Sequence, residues 1–396
     1  MPKSRVISSP FPDVWVSEAE RRQLIDLVDL YVDDYIQKYQ DFVKVDKRGV
    51  NKKHWEHIKS KGNLHVYAER TKKQLNRRGA TLENSLSTTQ RLNTSAHSKD
   101  LAVLLSAGTI PGELEDLMFG VLTPTLDAMK VKSSFVYDFD TAAILCSVLE
   151  PRNIDPYRSL TIKWMSIEAP LKATKCRDFV FLEATGVLDF PNGDRIGYHF
   201  LHSIDLPQTQ RLTDNIRGNL SLFSCFTQLR PNTIDNFSCA TVDPGLDIAR
   251  FVLVPVVART LLAATNYVYC GQMKKLAWLL QHRRSVFGYR EKKPHRKKCS
   301  VCKKNTSQFL GSIGSSTCRL CCSSVCFSCK IRQQVSFIAW GGRLIQRKIT
   351  FCAACVSVAT DLDAFEPATD QAKGYDANTG STTYTFLDTS MSSLNG

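Results

Sequence analysis

Eight cysteines arranged in four Cys-x-x-Cys pairs constrain this chain more than any other feature. A turn of this length lets two thiolates converge on one tetrahedral Zn2+, so four turns supply the ligands of two complete sites. Protein then fills every coordination position, which leaves no place for a catalytic water and makes both ions structural. Because few large apolar residues surround the pairs, metal binding should supply most of the folding free energy of this module. The predicted ligands are Cys299, Cys302, Cys318, Cys321, Cys326, Cys329, Cys352 and Cys355.

The rest of the chain is long enough to form a second folded unit. With 396 residues, of which 43% are hydrophobic and 23% charged, it can bury a core of its own. The first residues lack the apolar run of a secretory signal, so we expect a cytoplasmic protein whose cysteines are metal ligands or buried thiols. The most apolar run, 251–264, contains Pro255 and Arg259. It is too short to cross a bilayer, so no transmembrane helix is expected.

The net charge of +14 is concentrated around the cysteines. Residues 283–355 hold sixteen Lys and Arg against a single acid, Glu291. An anionic membrane is the expected partner, since each basic residue near a charged leaflet contributes about 1 kcal/mol. Nucleic acid is a less favoured partner because no base-stacking aromatic motif accompanies the basic residues. The candidate contacts to lipid head groups are Arg319, Lys292, Lys293, Arg296, Lys297 and Lys298.

Hydrophobic periodicity predicts the architecture of the larger unit. Ser17 and Glu20 form a capping box that opens a helix reaching about Tyr39. Alternating apolar residues then predict strands, with a hairpin turn at 191–194, and one long helix is predicted over 246–281. A helix, a set of antiparallel strands and a long C-terminal helix indicate an α+β fold. In such a fold, sheet and helix can enclose an apolar cavity.

Three short motifs in this unit resemble START lipid-transfer domains. They are the run CRDFVFL at 176–182, the run HSIDLP at 202–207, and Asp-Pro-Gly at 243–245 before the last helix. The resemblance implies a helix-grip fold over residues 20–282, whose cavity holds a sterol, a phospholipid or another hydrophobic ligand. No phosphate-cradling glycine loop and no nucleophile elbow is found, so we expect a binding protein and not an enzyme. His199 and His202 lie in a predicted strand and are interpreted as structural residues.

The cysteine spacing, C-x2-C-x15-C-x2-C-x4-C-x2-C-x22-C-x2-C, resembles the FYVE zinc-finger family. The resemblance implies cross-bracing, in which the first pair shares an ion with the third and the second pair with the fourth. The basic motif by which FYVE domains recognise phosphatidylinositol 3-phosphate matches only at Cys318, Arg319 and Cys321, and Thr350 stands where an Arg is expected. This departure removes hydrogen-bond donors that single out one phosphate position, so charge is expected to drive association. Cys322, where the family usually carries Gly, is interpreted as a bystander.

These interpretations predict five segments with two separate cores. They are an N-terminal segment (1–19), a START-like domain (20–282), a basic linker (283–298), a FYVE-type finger (299–358) and a disordered acidic tail (359–396). The predicted protein is non-enzymatic, binds lipid, and is peripheral on endosomal or other anionic membranes. The alternative is a protein-interaction module of the Rab-effector or RING kind at the finger. Exposed hydrophobic residues would suit either a membrane or a partner groove; the candidates are Phe309, Leu310, Phe337 and Trp340.

Overall fold

The computed structural model describes residues 9–77, 101–136, 141–167, 175–245, 248–282, 298–305 and 315–376. The helices are α1 (Glu18–Lys44), α2 (Lys72–Arg77), α3 (Leu114–Val121), α4 (Leu126–Ser133), α5 (Arg250–Leu262), α6 (Tyr267–Gln281), α7 (Ala353–Asp361) and α8 (Phe365–Asp376). The strands of the larger unit are β1 (Trp55–Lys61), β2 (Leu64–Glu69), β3 (Ala102–Ile110), β4 (Thr141–Leu149), β5 (Ser159–Ile167), β6 (Cys176–Asp189), β7 (Arg195–Ser203), β8 (Asn215–Arg217), β9 (Asn219–Arg230) and β10 (Thr233–Asp243). The cysteine-rich module adds β11 (Ser315–Thr317), β12 (Ser324–Cys326), β13 (Lys330–Ala339) and β14 (Arg343–Cys352).

One large sheet contains the ten strands β1–β10. Its strand order is β1-β2-β3-β10-β9-β7-β6-β5-β4, and every neighbouring pair on this path is antiparallel. The short β8 pairs with β6 in parallel. The predicted hairpin is confirmed, since β6 and β7 pair from Asp189↔Arg195 onward around the turn at 190–194. The sheet and its helices confirm the predicted α+β class with an antiparallel sheet around the C-terminal helices.

Helix α1 covers the outer face of the sheet. The predicted capping box is present, because Ser17 N donates to Glu20 Oε2 at 2.7 Å and Glu20 N donates to Ser17 Oγ at 3.3 Å. The helix runs to Lys44, beyond the predicted end near Tyr39. Its apolar stripe packs on the strands, where the Tyr35 ring stacks on Phe223 with a centroid distance of 4.5 Å. Amphipathic spacing thus fixes which side of the helix meets the sheet.

Two helices, α5 and α6, pack on the inner face of the sheet, where a single helix was predicted over 246–281. A 3-10 turn at Ala263–Asn266 separates α5 from α6. Helix α6 crosses α3 at very close range, because a Cβ at Gly271 would lie 1.9 Å from the backbone oxygen of Asp116. The stretch Arg250–Gln281 is long and apolar enough to cross a membrane by length and composition, a property that core helices share. Here it packs between the sheet and the cysteine-rich module.

The cysteine-rich module shares its core with α6, so the boundaries at 282 and 299 do not separate two cores. Leu276 and Leu279 of α6 belong to the same buried cluster as Phe337 and Phe351 of the β13–β14 hairpin. The Lys275 ammonium forms a second connection between the two units. It lies 2.6 Å from Asp116 Oδ1 and donates to the carbonyl oxygens of Thr360 and Leu362, at 3.0 and 2.7 Å. The predicted linker falls mainly on residues 283–297, which lie outside the described residues.

The prediction of a disordered tail over 359–396 is wrong for residues 359–376. Helix α7 extends to Asp361 and α8 covers Phe365–Asp376. Ala364 and Ala368 are buried against the sheet unit, and Trp278 Nε1 of α6 donates to Asp370 Oδ2 at 2.9 Å. Ala364, just before α8, and Ala368 and Ala372 within it are buried and lie four residues apart, a stripe that the acidic composition conceals. Residues 377–396 lie outside the described residues.

Candidate metal centres and interior cavity

The first and third cysteine pairs come together in one cluster. Cys299, Cys302, Cys326 and Cys329 have all four sulfur atoms within 4.8 Å of one another. Cys302 Sγ and Cys326 Sγ lie 3.7 Å apart. Four sulfurs at the usual Zn–S distance of about 2.3 Å around a tetrahedral ion would be about 3.8 Å apart. The donor set and its spacing therefore fit one Zn2+.

The second and fourth pairs form a second cluster of the same kind. Cys318, Cys321, Cys352 and Cys355 also have their sulfurs within 4.8 Å, and Cys321 Sγ lies 3.8 Å from Cys352 Sγ. The chain thus alternates between the two clusters, and the sulfurs are grouped in the cross-braced way that the spacing implied. Each cluster has four cysteine ligands available, and the module could hold two zinc ions.

Backbone geometry explains how each of the first two pairs turns its sulfurs inward. Lys303 and Cys322 directly follow these pairs and take the left-handed conformation, with φ of 61° and 57°. Lys303 N donates to Cys299 O and Cys322 N donates to Cys318 O, each at 3.0 Å, and these hydrogen bonds close the two turns. In the first cluster, Cys326 N also donates to Cys299 Sγ at 3.4 Å, the kind of contact that orients a metal-binding sulfur. Cys322 belongs to neither cluster.

The β13–β14 hairpin places the clusters at one end and a contact with α4 at the other. Lys330 pairs with Cys352 at the cluster end. At the far end, the Lys130 ammonium donates to Gly342 O at 2.7 Å, and Val131 packs on Ile338. The hairpin therefore lies across the larger unit from the zinc clusters to α4.

The predicted head-group residues fall into three groups. Arg319 is half-buried, and its backbone N–H donates to Thr350 O at 2.9 Å, which places the one basic residue that matches the FYVE motif beside the Thr that stands where an Arg is expected. Lys298 is exposed next to the first cluster. The other predicted contacts lie outside the described residues; these are Lys292, Lys293, Arg296 and Lys297.

The exposed hydrophobic residues of the module differ from those expected. Phe337 is 2% exposed and packs on α6, so its predicted exposure is wrong. Phe309 and Leu310 lie outside the described residues, as does the side chain of Trp340. Sequence reasoning missed Val301 and Phe327, each within a Cys-x-x-Cys turn of the first cluster and 39% and 69% exposed. Their position between ligand cysteines was the available signal, because such turns project side chains away from the metal.

A cavity lies between the sheet and the α5–α6 pair, where the helix-grip resemblance implied one. Its volume is about 70 Å3, whereas sites for drug-sized ligands occupy about 300–1,000 Å3. The expectation of a cavity that encloses a whole sterol or phospholipid is therefore wrong for this closed arrangement. Part of the wall is apolar, with Phe181, Leu201, Leu222 and Leu261 among its residues.

Charged side chains form the other part of the cavity wall, and sequence reasoning did not select them. The Glu183 carboxylate accepts from Thr123 Oγ1 at 3.0 Å, from His199 Nε2 at 2.7 Å and from the Lys163 ammonium, with the Lys132 ammonium 3.7 Å away. Burial would raise the pKa of Glu183, but the two lysines and the histidine contact hold it well below its usual value. Burial lowers the pKa of His199 despite its bond to Glu183. The neutral ring therefore donates from Nε2.

Comparison with known proteins gives solved structures with weak similarity to this chain. No family model matches the chain, and no curated protein matches it. Among solved structures, human STARD10 is 14% identical over 62% of this chain and 84% of that chain, with a TM-score of 0.38. Human StAR-related lipid transfer protein 5 is 14% identical over 65% of this chain and 98% of that chain, with a TM-score of 0.40. The lipid transfer and protein localization domain of human StarD13 is 11% identical over 60% of this chain and 95% of that chain, with a TM-score of 0.36.

The cysteine clusters predict a defined zinc content. Elemental analysis or native mass spectrometry of the full chain should give about two zinc ions. Cys318→Ser should reduce this number to about one, because it removes one ligand from the second cluster only. Cys322→Ser is the matched control, since it changes the cysteine four residues away that belongs to neither cluster, and it should leave two ions bound. An unchanged zinc content in Cys318→Ser would contradict the ligand assignment.

Proposed function

We propose that this protein binds a hydrophobic or amphiphilic lipid between its sheet and α5, and that it acts as a binding protein without enzymatic activity. The observation that carries the proposal is the cavity under α5, whose apolar wall includes Leu201, Leu222 and Leu261. A volume of about 70 Å3 has no room for an acyl chain. Helix α5 must therefore move away from the sheet to admit one, as a lid does.

Several features of α5 favour such a movement, while α6 is fixed. Pro255 lies inside α5, where it removes a backbone hydrogen bond, and the 3-10 turn at Ala263–Asn266 offers a hinge before α6. Phe251 near the start of α5 is 82% exposed. By contrast, α6 is clamped by α3 on one side and by the cysteine-rich module on the other. Displacement of α5 alone opens the cavity.

In this proposal the two zinc ions are structural. All four positions of each cluster are occupied by cysteine sulfur, so neither ion has an open site for substrate or water. The ions hold the hairpin that covers α6, and α6 provides the fixed side of the lipid site. Zinc thereby supports lipid binding from outside the cavity.

Filling the cavity should prevent lipid uptake. Leu261→Trp places a larger side chain in the cavity wall, so extraction of a fluorescent long-chain lipid from vesicles should fall at least about tenfold. Val256→Trp is the control, since it changes an apolar residue of the same helix that does not line the cavity. Circular dichroism checks that both variants fold. Equal extraction by the folded Leu261→Trp variant would contradict lipid binding in this cavity.

We propose further that the module brings the protein to cytoplasmic anionic membranes, including endosomal ones. Residues 298–355 contain no Asp or Glu, so their partner is anionic. Beside the first cluster, exposed Val301 and Phe327 stand among basic residues, and the Lys330 ammonium lies 4.3 Å from the centre of the Phe327 ring. An aromatic tip with a basic rim suits the interface of a charged bilayer. The single Arg319 beside Thr350 favours attraction by charge over selection of one phosphate position.

Binding to anionic vesicles should fall steeply as salt rises, because exposed charges are screened within about 10 Å at 0.1 M salt. Phosphoinositide isomers of equal charge should bind alike. Phe327→Ser should weaken binding at every salt concentration, since insertion of an apolar ring is not screened. The strongest loss should follow from neutral replacement of Lys292, Lys293, Arg296, Lys297 and Lys298, and a weak one from Arg319→Ala.

Two outcomes would contradict this account of the module. A strong preference for phosphatidylinositol 3-phosphate that Arg319→Ala abolishes would instead indicate the head-group recognition of FYVE domains. Failure to bind any anionic vesicle at low salt would favour a protein-interaction module.

A further inference from the structure

The tip of the β13–β14 hairpin covers the outer side of α4. Val131 of α4 and Ile338 of β13 form a buried cluster of their own, and they are 1% and 2% exposed. Ser134, at the end of α4, shares a hydrogen bond with Ser336 of β13, with 2.7 Å between the two Oγ atoms. Gln346 Nε2 of β14 donates to Ser134 O at 3.2 Å. Apolar packing and hydrogen bonds therefore both attach α4 to the hairpin.

The inner side of the same helix forms part of the cavity wall. Met129 and Lys132 of α4 both line the cavity. Met129 packs in one cluster with Ala142 of β4 and Met165 of β5, which line the cavity as well. Helix α4 thus lies between the cavity and the hairpin, and it closes the end of the cavity beside β4 and β5.

The length of α4 makes it dependent on these contacts. It has eight residues, whereas an isolated helix shorter than about 12 residues is marginal in water. Without the hairpin, Val131 would lose its apolar neighbour Ile338, and the outer side of the helix would face water. Loss of the hairpin contact would therefore weaken the wall of the cavity that α4 provides.

Both cysteine clusters hold the base of the hairpin. Cys329 of the first cluster directly precedes β13, and Cys352 of the second cluster is the last residue of β14. The two strands then pair without a break from Lys330↔Cys352 to Ala339↔Arg343. Each strand has ten residues, so the hairpin reaches about 30 Å from its base to its tip at about 3.4 Å per residue. A two-stranded hairpin is marginally stable alone, so clusters that fix its base also fix its tip.

We propose that the β13–β14 hairpin is a strap that holds α4 closed over the cavity, so that zinc occupancy of the cysteine clusters controls the release of a bound lipid. The inference rests on the proposed lipid-binding function and names the regulation of that site. While the base is fixed, the tip contacts Val131 and Met129 stays in the cavity wall. When the base loosens, α4 separates from β4 and β5. The cavity then opens beside Ala142 and Met165, at a second place besides α5.

Substitution at the hairpin tip tests the strap and leaves all eight cluster cysteines in place. In the zinc-loaded full chain, Ile338→Ala should speed hydrogen exchange in α4, because it removes the apolar contact with Val131. It should also speed release of cis-parinaric acid, a fluorescent fatty acid, into excess oleate at least about tenfold. Ile338→Val keeps most of this contact and should restore most of the wild-type rate. Native mass spectrometry should show the same zinc content in each variant.

Two adjacent serines of α4 and its C-terminal end provide a matched pair. Ser134→Ala removes the hydrogen bond to Ser336 and should speed release about threefold. Ser133→Ala is the control, because Ser133 Oγ donates to Lys130 O of the same helix, and it should leave the release rate unchanged. This pair keeps the test decisive if Ile338→Ala fails to fold. Zinc removal with a chelator should speed release more than any of these substitutions, since it loosens the whole hairpin.

The outcomes separate the strap from the function on which it rests. Unchanged exchange in α4, both in the folded tip variants and after zinc removal, would overturn the strap. Faster exchange in α4 with an unchanged release rate would overturn its control of the site and leave lipid binding in place. If the folded wild-type chain bound neither cis-parinaric acid nor a pyrene-labelled phosphatidylcholine, both proposals would be overturned.

Discussion

The middle of helix α6 is buried on every side, and the rest of the structure depends on how it is covered. Residues 273–277 are each at most 3% exposed, although two of them are lysines. A helix without a solvent face needs neighbours all around it. Gly271 lets α3 approach on one side, and the β13–β14 hairpin with its cysteine clusters covers the other. The Lys275 ammonium sits at this junction, where it is paired with Asp116 and bonded to two carbonyl oxygens of the segment after the last cysteine pair.

This arrangement gives the cysteine-rich module a different role from that of a separate finger. A finger with a core of its own could unfold without affecting its neighbour, whereas this module supplies one wall of the core around α6. Its loss would expose Leu276, Leu279 and the buried charge of Lys275. In the proposed function, the fixed position of α6 leaves α5 as the part of the grip that opens. The cysteine clusters and the cavity both contact α6, so this one helix connects them.

Local chemistry could be predicted from the sequence, and long-range packing could not. The capping box at Ser17 and the hairpin at 190–194 depend on residues close in the chain, and both are present. The sequence did not reveal that alanines of α8 return to the sheet unit, because this requires contacts across about two hundred residues. Nor did it select Lys163 and Glu183. Both faces of β5 and β6 are buried, so an alternating pattern does not distinguish an inward charge from a surface one.

Hydrogen exchange of the full chain, compared before and after zinc removal with a chelator, tests the shared core most directly. We expect faster exchange in α3 and α6 as well as in residues 298–361, because α6 loses the hairpin that covers it. Strands β1 and β2 at the far edge of the sheet provide the internal reference, since the cysteine-rich module makes no buried cluster with them among the described residues. Faster exchange confined to residues 298–361, with α6 fully protected, would contradict the account and restore two independent folding units.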